Sequence, residues 1–217
     1  MNESELQSMS QILRHRLRGI AAGIRGALGI IEEEAGTQLP PGLREYFPLM
    51  VRECDALQEV AGRISLYFDA PASAEGLTAD VATMRALGSM AERHPGVDLR
   101  TRGGCEDRVS GWMETALGEL VKNACEASPN GTVEVRLRRE GGMVRWTVSD
   151  SGPGIDAARI ADPFAAFATT RPRHLGLGLA IARRLAEMAG GGCAAAEGTR
   201  TDAGWPVELW CPAAGAK

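Results

Sequence analysis

No CxxC pair occurs in the chain. Its five cysteines, Cys54, Cys105, Cys125, Cys193 and Cys211, are odd in number and scattered. Neither a disulfide framework nor a cysteine zinc site is expected from them, and a reducing, cytoplasmic setting is. No stretch reaches the roughly 18 apolar residues that a membrane span needs, so membrane insertion is not expected. The opening MNESELQSMS is polar and acidic where a secretory signal would be basic and then apolar, so no such signal is expected. Basic residues are not in excess either. There are 24 Lys and Arg against 28 Asp and Glu, a net charge of −4, which argues against general nucleic-acid binding. No internal repeat is visible. What remains is a globular composition, 44% apolar and 24% charged over 217 residues. That length suits one large domain or two modest ones with cores of their own.

The first third is helical. At about 100° of rotation per residue, Leu13, Leu17, Ile20, Ile24, Ala27 and Ile31 fall within about 40° of one direction. Leu43, Phe47, Met50, Cys54, Leu57, Ala61, Ile64 and Phe68 form a second stripe. Between them AGTQLPPG supplies a turn. Pro48 sits near the start of the second helix or kinks it on its outer side. A hairpin of two helices cannot bury two stripes of this length alone, so a homodimer forming a four-helix bundle is expected; packing on the rest of the chain is the other solution.

DAPASAEG, residues 69–76, has no large apolar side chain and reads as a linker. The expected organisation is a hairpin over 1–70, a linker over 71–77 and a second domain over 78–213. In the second domain TADVATMRALGSMAERHPG reads as a capped helix and VDLRT as a strand. GWMETALGELVKNACEAS reads as another helix, and TVEVRLRRE and MVRWTVSD as a hairpin turning at Gly141 and Gly142. GLGLAIARRLAEMAGG is a third helix with a glycine stop, and CAAAEG and PVELWCP are closing strands. The fold class is α+β: an antiparallel helical hairpin, then an α/β sandwich with a mixed sheet backed by helices.

Four stretches of this domain carry chemistry. In ELVKNACEA, Glu119, Lys122 and Asn123 share one helix face. That face suits an Asn oxygen and Glu119 on Mg²⁺ with Lys122 near phosphate, or it is simply solvated. DSGPGI sets the Asp150 carboxylate at a strand end before glycines that let backbone approach a ligand, or forms an ordinary turn. HLGLGLAI opens a helix with Gly176 and Gly178, whose free N–H groups and dipole can meet phosphate. DPFAAF stands between them.

Together, in this order, they resemble the ATP-binding domain of the GHKL superfamily and, within it, of sensor histidine kinases. The asparagine box is similar to Glu119-Leu120-Val121-Lys122-Asn123-Ala124, and the first glycine box to Asp150-Ser151-Gly152-Pro153-Gly154-Ile155. Pro163-Phe164 with Phe167 resembles the phenylalanine box, and Gly176-Leu177-Gly178-Leu179 the second glycine box. The resemblance covers about residues 78–212. It implies the Bergerat fold, with ATP and Mg²⁺ beneath a lid, here ATTRPRHL, whose Thr170, Arg171 and Arg173 become candidate nucleotide contacts. Two positions depart from the family. His174-Leu175 replaces Gly-Thr, and Glu126 stands where many relatives carry a basic residue near phosphate.

The resemblance also gives ILRHRLRGI a meaning. In these kinases a dimerising hairpin precedes the ATP domain and carries a phospho-accepting histidine on its first helix. His15 lies about 200° from the Leu13–Ile31 stripe and so faces solvent. Arg16 follows it where most relatives have an acid, and Gly19 stands where Asn is usual; HRLRG is similar to a minority group that includes the HWE type. The implied activity is ATP-dependent phosphorylation of His15, then transfer to an aspartate of a response-regulator receiver domain, with a separate sensor protein supplying the signal. A phosphotransfer adaptor that has lost nucleotide binding and an anti-sigma-type serine kinase are the alternatives. Gly19, Ala22, Gly26 and Gly29 share His15's side of the helix, which would offer a smooth strip to a receiver helix or let the helix bend.

Overall fold

A computed structural model describes residues 3–35, 38–69, 75–155, 161–171, 174–196 and 204–214. They divide into two compact units, Met1–Ala70 and Pro71–Lys217.

The first unit holds α1 (Glu3–Ala35), a single turn α2 (Pro41–Arg44) and α3 (Tyr46–Asp69). Pro48 falls in the first turn of α3, where a missing N–H leaves no helix bond unmade. Leu43 belongs to α2 and not to the second long helix, because Pro40-Pro41 starts a turn of its own. Arg14 donates to Ser65 Oγ at 2.5 Å and Arg25 pairs with Asp55, so α1 and α3 run antiparallel. Their buried contacts repeat every seven residues: Ala21 and Leu28 on α1, Cys54 and Ala61 on α3. That spacing is the heptad of packed helices, and two of the four residues are alanines that let the backbones approach.

This corrects the stripe expected on α1. Leu17 is half-buried, but Leu13, Ile20, Ile24 and Ile31 remain 43–56% exposed and Ala27 is exposed with them. The face that meets α3 is centred on Ala21 and Leu28, rotated by about 60° from the stripe. On α3, Phe47, Cys54, Ala61, Ile64 and Phe68 are buried or half-buried, while Met50 and Leu57 stay exposed beside Leu43 of α2. The hairpin covers one flank of its apolar surface and leaves the other open. His15, as expected, is exposed, and a Cβ added at Gly19, Gly23, Gly26 or Gly29 would meet nothing within 4 Å.

The second unit contains β1 (Leu77–Thr78), α4 (Ala79–Ala91), β2 (Asp98–Gly103), β3 (Arg108–Val109) and α5 (Trp112–Ala127). β4 (Thr132–Glu140), β5 (Met143–Asp150), α6 (Gly178–Met188), β6 (Gly192–Ala195) and β7 (Val207–Pro212) complete it. Five strands form a mixed sheet in the order β2-β4-β5-β7-β6, with only β2 and β4 parallel. β4 and β5 turn at Gly141-Gly142, and Gly141 takes the positive φ of 59° that the turn needs. The short pair β1–β3 was not foreseen; two residues per strand are too few to show a period.

Alternation decides the layers. Val133, Val135, Leu137, Val144, Trp146, Val148, Val207, Leu209 and Cys211 are buried and point to the helices. The opposite face is a lattice of arginines and acids, with Arg138 and Arg145 on Glu208 and Arg102 and Arg136 on Glu134. At the centre Trp146 is wholly buried. Its indole N–H donates to Thr83 Oγ1 of α4 at 2.9 Å, and that hydroxyl donates to the Ala79 carbonyl at 2.8 Å.

Thr83→Val keeps the shape but orphans the buried indole N–H, and is expected to cost about 1–3 kcal/mol. All four tryptophans lie in the second unit, so urea unfolding followed by tryptophan fluorescence reads that unit alone. An unchanged midpoint would show that the indole bond does not anchor α4 to the sheet.

Candidate nucleotide site

α5 brings a polar edge to the site. Glu119, Lys122, Asn123 and Glu126 are all half-buried along one side, while Leu117, Leu120, Val121, Ala124 and Cys125 on the other side are buried. Burial pushes the Cys125 thiol up to about 11, so it stays protonated at neutral pH and takes no part in ionic chemistry here. The 3.6-residue period produces both sides at once.

β5 ends at Asp150, and three neighbours fix its carboxylate and backbone. Oδ1 accepts the Gly152 N–H at 2.8 Å and the Ser128 hydroxyl at 3.3 Å. A Cβ on Gly152 would lie 2.6 Å from the Ala127 carbonyl and 2.7 Å from Asp150 Oδ1, so no side chain fits. Gly204 approaches from the other side; its Cβ would fall 2.0 Å from the Asp150 carbonyl. Gly154 takes a φ of 73°, and Ile155 after it is half-buried. The DSGPGI stretch is therefore packed against the C-terminal end of α5 through Ala127 and Ser128.

The phenylalanine stretch is tied to α6. Asp162 Oδ1 accepts the Phe164 N–H at 2.9 Å, and Arg183 of α6 forks onto the same carboxylate at 3.2 and 3.4 Å. The Phe164 N–H chiefly, and Arg183 with it, hold the Asp162 carboxyl below the ordinary carboxylate range. The Arg183 guanidinium also lies 4.4 Å over the Phe164 ring, which meets the Trp205 ring at 5.6 Å between centroids. Phe164 is buried, but Phe167 is 57% exposed. Phe167 has a positive φ of 66°, uncommon for a residue with a side chain, and its N–H donates to the Gly176 carbonyl at 2.9 Å. Gly176 itself has a φ of 64°, and a Cβ there would come within 2.6 Å of the Ala168 carbonyl.

Gly178 and the buried Leu177 lead into α6, whose first turn has no side-chain cap, and Leu179 is half-buried just inside it. Thr170 is exposed. Arg171, a candidate phosphate contact, pairs with Glu126 at 3.9 Å, and His174 approaches the same carboxylate at 3.5 Å. Arg173 lies outside the described residues. Glu126, Ser128, Arg183 and Trp205 are participants the sequence did not single out by role. Only Glu126 carried a signal, as an acid in a place where many relatives are basic.

α5 thus meets Asp150 through Ser128, and His174 and Arg171 through Glu126. α6 meets the phenylalanine stretch through Arg183, and Gly176 closes on Phe167. These contacts bring the four stretches together around the α5 edge and the start of α6. His15 is on α1 of the other unit.

Residues 109–214 match the family of histidine kinase-, DNA gyrase B-, and HSP90-like ATPases. The sensor histidine kinase DcuS of Escherichia coli K12 is 36% identical over 94 residues, covering 42% of this chain and 17% of its own. The tetrathionate sensor histidine kinase TtrS of Salmonella typhimurium is 29% identical over 190 residues, 83% of this chain and 31% of its own. The chain thus spans less than a third of these relatives' length. Among solved structures, full-length ShkA in complex with AMPPNP superposes on 100% of this chain and 48% of its own, with a TM-score of 0.70 at 22% identity. The mycobacterial sensor histidine kinase MprB covers 64% of this chain with a TM-score of 0.56 at 24% identity. Residues 109–214, just under half of the chain, thus form a unit similar to the ATP-binding domains of that family. In this chain a helical hairpin, α1 and α3, precedes that domain.

Gly176→Ala would force a Cβ into the Ala168 carbonyl at a positive φ, and is expected to destabilise the second unit by about 1–3 kcal/mol. The fluorescence midpoint in urea measures it. A wild-type value would mean that the 167–176 closure yields without strain.

Proposed function

We propose that the chain is the kinase core of a two-component system, phosphorylating His15 from ATP and passing the phosphoryl group to an aspartate of a response-regulator receiver domain. The observation that carries this reading is an exposed histidine on the first helix of a hairpin that precedes an ATP-binding domain. On this reading residues 1–70 dimerise and carry phosphate, 71–77 connect, and 78–213 bind nucleotide. The exposed Leu13, Ile20, Ile24 and Ile31 give the hairpin an apolar flank suited to a second copy.

In the second unit Asp150 is the adenine-reading group. Its Oδ1 is held by Gly152 and Ser128, which leaves Oδ2 to accept from the purine amino group. Gly152 and Gly154 let the loop backbone approach the base, and Ile155, Phe164 and Phe167 supply apolar surface beside it. The uncapped start of α6 at Gly176, Leu177, Gly178 and Leu179 offers N–H groups and the positive end of a helix dipole to phosphate. Lys122, Thr170 and Arg171 surround the phosphates, and Arg173, outside the described residues, is a further candidate by its place in the sequence.

Among the described residues no three His, Cys, Asp or Glu side chains gather as a metal site. Mg²⁺, however, is commonly held by one or two protein oxygens with phosphates and water completing the shell. Asn123 and Glu119 on the α5 edge fit that role, and the ion would neutralise phosphate charge. His15 Nε2 then attacks the γ-phosphorus; the new N–P bond forms as the bond to the β-bridging oxygen breaks and ADP leaves. Such transfer depends on alignment and charge neutralisation more than on a strong base, which accommodates Arg16 beside the histidine.

Incubation with γ-labelled ATP and Mg²⁺ is expected to give acid-labile label on the wild-type chain and none on His15→Ala, with ATP affinity unchanged. Label that persists on the variant would move the acceptor to His94 or His174, and acid-stable label would favour a serine kinase. Asp150→Asn should weaken ATP binding by about ten- to a hundredfold, the equivalent of one charge-assisted hydrogen bond. Wild-type affinity in a folded Asp150→Asn chain, measured calorimetrically, would remove Asp150 from the site.

A further inference from the structure

Glu126 lies one turn beyond Asn123 on the polar edge of α5, and its side chain is four-fifths buried. Its Oε2 is 3.5 Å from His174 Nδ1 and 3.9 Å from Arg171 Nη1. Among the described residues these two side chains have no other acidic partner. Both stand between the phenylalanine stretch and α6, the side of the site from which phosphate would be met. We infer that Glu126 is a specificity-determining residue that competes with nucleotide phosphate for Arg171 and His174.

The inference rests on the ATP-binding reading of this unit. A carboxylate and a phosphate present the same acceptor chemistry to a guanidinium or an imidazole N–H, and each donor must release one to grip the other. The side chain engages Arg171 and His174 without help from any ligand, from its place on α5. A triphosphate entering the site therefore has to displace an anion already seated there. A ligand with no phosphate does not. Glu126 thus lowers affinity for phosphorylated nucleotides selectively and leaves recognition of the base untouched. The acid that departs from the family pattern thereby gains a function, that of an internal anion holding the place of phosphate.

Binding of ATP and of adenosine to the full chain, measured calorimetrically at constant pH, tests this. Glu126→Gln is expected to bind ATP about three- to tenfold more tightly, the scale of a partly exposed ion-pair competition, with adenosine affinity unchanged. Glu126→Ala should behave alike, since any neutral side chain frees Arg171 and His174. In an Arg171→Gln/His174→Gln background the gain should vanish. No tightening in either variant, an equal gain for adenosine, or a gain that survives in the double-variant background would overturn the inference. Wild-type chain that fails to bind ATP would remove the underlying reading and the inference with it. ATP binding that ignores Glu126 would remove the inference alone.

Discussion

Much of the second unit depends on how one carboxylate oxygen is held. Asp150 Oδ1 collects the Gly152 N–H and the Ser128 hydroxyl, and the backbone around it is pressed between Ala127 and Gly204. Those contacts join the end of β5, the end of α5 and the approach to β7 at a single point. A side chain at position 152 or 204 would force them apart, so glycine is required by space there. The orientation of the whole carboxylate is consequently fixed by the fold through Oδ1.

The same logic extends outward to α6. Arg183 meets Asp162 in a fork and stacks on Phe164, and Phe164 leans on Trp205. Charge, ring and ring form one chain of contacts from the helix to the segment just before β7. Each partner supports the next, so the phenylalanine stretch is positioned by α6 as well as by its own turn. Beyond it, Gly176 and Phe167 close a short loop, and both adopt the left-handed backbone. Arg171 and His174 within that loop are both engaged by the Glu126 carboxylate of α5.

In the first unit small residues set the geometry. Ala21 and Ala61 let α1 and α3 approach closely, and the heptad they belong to decides which flank faces inward. Larger side chains, Leu13, Ile20, Ile24 and Ile31, are left outside the intramolecular contact. An apolar flank of that length on a helix pair is surface that association would cover. Among the described residues, no helix is long and apolar enough to cross a membrane.

The amino-acid sequence by itself determined the hairpin, the helices α4 to α6, the β4–β5 turn and the order of the four site stretches. Each of these is written in local periodicity, in capping residues such as Thr78, or in glycines at turns. It also determined that His15 is exposed, since one helix turn suffices to place it opposite the apolar stripe. Tertiary structure alone decided the rest. The rotation of α1 against α3 follows from where two alanines permit contact, which a hydrophobic stripe does not encode. The β1–β3 pair, the Arg183–Phe164–Trp205 stack and the engagement of Arg171 by Glu126 join residues 19 to 45 positions apart. Such partners share no period and no motif. Only the packing of α5, α6 and the sheet brings their charges and rings within reach.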